Sequence, residues 1–308
     1  MLVLHRRRRA KAANLASRAL HGLGRRVKRF RPARLLIRVS AIGVHLLCGR
    51  ARVISLGART HRNISTPPCS ATVVCHVYYP ELFDELFEAA TRAPFVNRLL
   101  VTCPHEKYHI VSEKIVMCEK LNPHILMMVE AHENSGRDVV PFLKVLQHPW
   151  VQAADLVLKI HSKRSPHLPP GKGEYWRKNL LHGLSPLSES QRERLALVLR
   201  SACSKSTPHL IWPARWAYSV ESWGSNRATA MSLMRGHRHK ARGPVVFPAG
   251  SMFWCNRALI VELSGLNTQK DPQRFATTEP LLDGTLAHGI ERFIGLLALA
   301  SGRISLTV

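Results

Sequence analysis

No C-x-x-C spacing occurs among the seven cysteines, which stand at 48, 69, 75, 103, 118, 203 and 255. An odd number so widely spaced supports neither a disulfide framework nor a zinc site, and it suits a reducing compartment such as the cytoplasm. Long apolar runs are missing too. The most apolar early segment, LLIRVSAIGVHLL at 35–47, is short and carries Arg38 and His45, so no stretch of about 18 apolar residues is present to span a bilayer. Acidic residues are absent from the beginning of the chain, and the first is Glu81. Internal repeats are absent as well, which excludes solenoid and propeller architectures.

The missing acids explain an extreme charge. The 308 residues carry a formal +25, but residues 1–62 alone hold 17 Lys plus Arg and no acid. The remaining residues hold 28 basic against 20 acidic, so the domain itself is only moderately basic. We therefore divide the chain into a basic arm, 1–65, and a folded domain, 66–308, large enough at 45% hydrophobic residues to bury a sizeable core. Part of the arm, around Ala10 to Leu23, has helical texture. The arm reads as a solvated tail, or as a segment for an anionic membrane surface, with nucleic acid and organelle targeting ranked below.

From Ala71 the chain alternates strand and helix. ATVVCHVYY (71–79) reads as a buried strand and PELFDELFEAATRA (80–93) as an amphipathic helix with Pro80 in its first turn. Strands at 97–103, 125–132 and 155–163 alternate with helices at 105–121 and 139–149, followed by helices at 176–184 and 189–202. This order predicts a mostly parallel sheet wound by right-handed crossovers. RGHRHKARG (235–243) reads as a loop. Near the end, an aromatic turn, FPAGSMFW, leads into a helix, and an acidic loop opens a second helix carrying His288 and Glu291.

In open parallel sheets, ligands sit beyond the carboxyl ends of the strands, so polar residues there are the site candidates. The first strand contributes His76, Tyr78 and Tyr79. The third is followed by ENSGRD, where Gly136 makes a tight turn and Asn134, Arg137 and Asp138 stand ready to grip a base, ribose or phosphate. Asp138 could equally be a helix cap beside a surface Arg. The fourth strand ends in His161, Lys163 and Arg164, a cationic edge suited to a diphosphate. Gly250, Phe253 and Trp254 offer a wall for an apolar or sugar face, or simply pack. Asp283 has the spacing of a helix cap, and His288 and Glu291, three apart, share a helical face.

Taken together, HVYYPELFDEL, ENSGRDVVPFL, LKIHSKRS, GKGEYWRKNLL, FPAGSMFW and DGTLAHGIERF, in this order from about Val73 to Leu297, resemble the rhamnan synthesis protein F family of bacterial cell-surface polysaccharide assembly. The resemblance implies a GT-A-like (Rossmann-like) α/β fold: a mostly parallel sheet flanked by helices, with the basic arm outside it. It implies transfer of rhamnose or a related deoxysugar from a nucleotide-sugar to a polysaccharide or lipid-linked glycan acceptor. The setting would be cytoplasmic, peripheral on the inner face of the membrane.

Many GT-A enzymes hold a divalent metal on a D-x-D at the strand end that here reads His161-Ser162-Lys163. The expectation is therefore that imidazole and ammonium take the metal's place and that no cofactor is needed. By position, Asp283 is the expected general base, Glu279 its runner-up, and His288 and Glu291 support the loop or contact the acceptor. A non-catalytic sugar-binding protein, or a nucleic-acid-binding scaffold using the arm, is the alternative reading.

Overall fold

A computed structural model describes residues 51–56, 69–218, 220–235, 237, 246–266 and 284–307. Among the described residues ten strands form: β1 (Ala51–Ile54), β2 (Ala71–His76), β3 (Val96–Pro104), β4 (Leu126–His132), β5 (Leu156–His161), β6 (His209–Pro213), β7 (Ala217–Tyr218), β8 (Phe247–Pro248), β9 (Phe253–Asn256) and β10 (Arg303–Thr307). Eight of them make one sheet in the order β1-β10-β6-β9-β5-β2-β3-β4, and β7 pairs with β8 apart from it. Every neighbouring pair of the large sheet is parallel except those made by β9, which runs antiparallel to both β5 and β6. The expected α/β architecture with a mostly parallel sheet is what forms.

The central strands are buried and largely apolar because helices cover both faces. All six residues of β2 and all six of β5 are buried. Alternate side chains then enter different cores: Val74 joins one cluster while Val73 and Cys75 join the other. On the first face lie the helices Val139–Lys144, Pro149–Ala153, Arg227–Arg235, Arg257–Ser264 and Leu286–Ser301. On the second lie Phe83–Arg92, Tyr108–Leu121, Lys172–Leu184 and Glu189–Cys203. The helix Phe83–Arg92 shows why these segments dock: Phe83, Leu86, Ala89 and Ala90 share one stripe and are buried.

Two expectations are corrected. The sheet reaches into the span assigned to the arm, because β1 pairs in parallel with β10 from Ala51↔Ile304 to Ile54↔Thr307. Residues 1–50 lie outside the described residues. The single helix expected over 139–149 is two short ones joined by a 3-10 turn, Val145–Gln147. The break falls where His148 adopts extended backbone before Pro149, which starts the second helix and cannot continue the first. Among the described residues no helix is long and apolar enough to cross a membrane.

Candidate functional site

The carboxyl ends of β2, β3, β4 and β5 line up in register: His161 stands beside His76, His76 beside Thr102 and Thr102 beside Glu130. His76 is buried, its Nδ1 3.1 Å from Thr102 Oγ1. Burial pushes its imidazole down to about 4, only partly opposed by the Asp138 carboxylate. The chain leaving β2 is tied to the end of β5 by a residue the sequence reading passed over. Ser162 Oγ accepts the backbone N–H groups of Tyr78 (2.8 Å) and Tyr79 (2.9 Å), which fixes Tyr78 at the rim, 37% exposed.

The centre of the site is Lys159, at 1% exposure, in a strand that otherwise reads as apolar. A buried ammonium is tolerable only if each of its protons finds an acceptor. Here Nζ donates to Asp138 Oδ2 (2.5 Å), to the Ser251 carbonyl (2.7 Å) and to Ser251 Oγ (3.0 Å), and it lies over the rings of Phe142 and Phe253. Asp138 is thus neither a surface residue nor a side-chain cap: its helix receives no cap bond from it. Burial alone would raise its carboxyl, but His161, 3.4 Å away, together with Lys159 and Lys163, holds it well below the usual carboxylate range. The His161 imidazole is held well below its ordinary value, first by burial and then by the neighbouring cations against the pull of Asp138.

Lys159 also anchors the turn that carries Gly250. Gly250 has φ +92 and Ser251 φ +55, and a Cβ on Gly250 would stand 2.8 Å from Leu180 Cδ1. The Gly250 N–H is held by Glu291 Oε1 (3.0 Å), while Arg292 grips Oε2 (2.8 Å). Burial raises the Glu291 carboxyl, with Arg292 opposing. Glu291 therefore braces the turn instead of facing an acceptor.

One turn earlier on the same helix face, His288 meets Arg137, with Nη1 3.0 Å from Nε2. A guanidinium only donates, so Nε2 accepts, and the neutral ring carries its proton on Nδ1. That nitrogen is 2.8 Å from Thr285 Oγ1, the residue whose side chain caps the helix by accepting the His288 N–H. Arg137 itself is exposed, in left-handed backbone (φ 58) directly after Gly136 (φ 62).

The structure thus gathers His76, Arg137, Asp138, His161, Lys163, Gly250, His288 and Glu291 at one end of the sheet. Lys163 belongs because Asp138, Glu291 and Arg137 all act on it. Burial lowers its ammonium against the first two, and its Nζ lies 4.2 Å above the Trp176 ring. Asn134 is exposed on the approach to the Gly136 turn. Arg164 does not join them: it pairs with Glu81 and lies over the Tyr79 ring at the surface. Phe253 and Trp254 are corrected. Both are 0% exposed; Phe253 packs on Phe142 and Trp254 donates to the Leu184 carbonyl, so neither forms a wall for a ligand. Asp283 and Glu279 lie outside the described residues; the adjoining Gly284 donates its N–H to Asn226 Oδ1 (3.1 Å).

A divalent metal at this strand end would need carboxylates free to coordinate it. Ser162 is engaged with Tyr78 and Tyr79, Asp138 with Lys159, and Glu291 with Gly250 and Arg292. Among the described residues, no trio of His, Cys, Asp or Glu gathers here for an ion. The described residues do not fit a carboxylate-held metal.

The profile of rhamnan synthesis protein F matches residues 54–303, from the last residue of β1 to the first of β10. The chain belongs to the rhamnan synthesis protein F family. The family's name ties it to polysaccharide synthesis. A protein named WxcX, itself uncharacterised, from Xanthomonas campestris pv. campestris is 30% identical over 251 residues, and its counterpart in a second strain is equally so. The match covers 80% of this chain but only 34% of either relative, so the chain spans about a third of the length of these curated relatives.

Proposed function

We propose that this rhamnan synthesis family member is a glycosyltransferase. It moves rhamnose or a related deoxysugar from a nucleotide-sugar to a polysaccharide or lipid-linked acceptor. The observation that carries the reading is the Arg137–His288 contact, which joins the turn after the third expected strand to the late helix above the cationic edge at His161 and Lys163. A multiply anionic group fits there because Arg137 and Lys163 supply charge at the rim while the buried Asp138–Lys159 pair below is internally neutral.

In this reading Tyr78 and Asn134 border the nucleoside, Arg137 and Lys163 hold the diphosphate, and His161 backs them from beneath. Gly250 brings backbone to the acceptor side. An acceptor oxygen attacks the anomeric carbon, the bond from that carbon to the diphosphate breaks, and Asp283 takes the hydroxyl proton. The cations neutralise the leaving diphosphate, so transfer proceeds in EDTA. The arm lies against anionic lipid, each basic residue adding roughly 1 kcal/mol near the surface. Flotation that is equal with and without residues before Ser65 would remove that last role.

A thermal-shift screen of the full chain against nucleoside diphosphates and their deoxysugar conjugates tests the proposal. A shift with one conjugate beyond that of its bare nucleotide is expected. Silence toward all of them, with shifts from free glycan or nucleic acid, would turn the chain into a binding scaffold.

A further inference from the structure

At the opposite, amino end of the sheet the fold assembles a group that cysteine spacing does not foreshadow. Cys69 directly precedes the Ser70–Ala71 entry to β2, Asp155 directly precedes β5, and Cys203 is the last residue of the helix Glu189–Cys203. One potential ligand atom from each lies within 4.8 Å of the other two. We propose that Cys69, Asp155 and Cys203 form a binding site for a soft divalent cation, zinc by the chemistry of the donors.

Two sulfurs and one carboxylate oxygen are a donor set that selects zinc over the oxygen-seeking calcium and magnesium ions. Zinc–sulfur bonds of about 2.3 Å place two ligand sulfurs about 3.8 Å apart in a tetrahedron, so the two sulfurs need draw together by about 1 Å at most. The carboxylate is already oriented. Asp155 Oδ2 accepts both the N–H and the hydroxyl of Ser70, each at 2.9 Å, which leaves Oδ1 for a metal. The frame is fixed as well. Leu156 donates to the Ser70 carbonyl (3.1 Å), and Asn256 Nδ2 bonds to the carbonyls of Ala202, Lys205 and Thr207 around the end of the cysteine-bearing helix.

The electrostatics point the same way. Three groups that are anionic when coordinating meet at a helix carboxyl terminus, the negative end of its dipole. Binding releases the two thiol protons to solvent, leaves both sulfurs as thiolates, and admits water as fourth ligand. The site lies at the other end of the strands from the cationic crevice and stands independently of the sugar-transfer reading.

The test is titration of the reduced full-length chain with cobalt(II), then zinc. We expect one cobalt per chain, a sulfur-to-cobalt charge-transfer absorption, and displacement by zinc. Cys69→Ser or Cys203→Ser should abolish the absorption, and Asp155→Asn should weaken binding about tenfold or more. Thiol mapping of the unmutated chain guards against variants that fail to fold. Zinc should protect Cys69 and Cys203 from alkylation and leave the comparably half-buried Cys118 unprotected. Equal labelling with and without zinc, cobalt bound without sulfur absorption, or a Cys69–Cys203 disulfide recovered in place of a metal complex would each overturn the site.

Discussion

The two ends of the sheet use buried charge in opposite ways. At the carboxyl end, Lys159 is paired with Asp138, Lys163 acts on the same carboxylate, and Arg137 stands at the exposed edge against His288. At the amino end, a carboxylate and two thiols converge on the negative end of a helix dipole. The same parallel strands produce both. A strand that is apolar along its length must finish in a polar residue where it leaves the helical layers, and registered neighbours place those residues side by side. The contrast suggests that one end is built to receive an anion and the other a cation.

The largest effect that would sharpen this contrast is catalytic. Asp283→Asn should lower transfer by roughly 10²–10⁴-fold in kcat while leaving donor affinity unchanged. A loss of donor affinity of that size would make Asp283 a structural residue of the crevice. Next is the Asp138–Lys159 pair. Lys159→Met leaves Asp138 without its closest counter-charge and strips Ser251 of a donor, and breaking such a buried pair costs about 3–5 kcal/mol, read as a shift in the urea midpoint. A change below about 1 kcal/mol would show that Asp138 is adequately served by His161 and Lys163.

A smaller effect is pH-dependent. His76 titrates near 6.5 when unfolded and near 4 when folded, so between these values the unfolded chain binds more protons and stability rises with pH. The contribution is complete above about 6.5 and is lost as pH falls toward 4, in total roughly 3 kcal/mol. His132, His161 and His209 are displaced in the same direction. Comparing urea midpoints at pH 7 and pH 5, His76→Gln should flatten the slope, and an unchanged slope would assign it to the other three. The smallest effect is Gly250→Ala, which forces an L-residue into φ +92 against Leu180 and should cost on the order of 1–2 kcal/mol in the same denaturation assay.

Much of the carboxyl end was legible in the sequence, because strand termini are local features. ENSGRD and HSK could be assigned to one edge from periodicity alone, and His288 and Glu291 do share a face. Lys159 was not legible: within DLVLKIH one lysine among apolar residues looks like noise until its acceptors, 21 and 92 residues away in sequence, are seen. The aromatic pair Phe253–Trp254 misled for the converse reason. Strand β9 is the antiparallel insert at the middle of the sheet, so aromatic residues that would mark a rim elsewhere are interior here. The cysteine and aspartate cluster was invisible because its members are 86 and 48 residues apart and meet only through the pairing of β2 with β5 and the seating of the helix Glu189–Cys203 on the sheet.

The central claim is that Arg137 and Lys163 at the carboxyl end of the sheet hold a diphosphate. Calorimetric titration of a nucleoside diphosphate into the full chain and into Arg137→Ala and Lys163→Ala tests it most directly. Saturable binding weakened at least about tenfold by either change, as expected for a charge-assisted hydrogen bond worth about 1.5–3 kcal/mol, is the predicted result. Binding of equal strength in all three proteins, or in none, would contradict it.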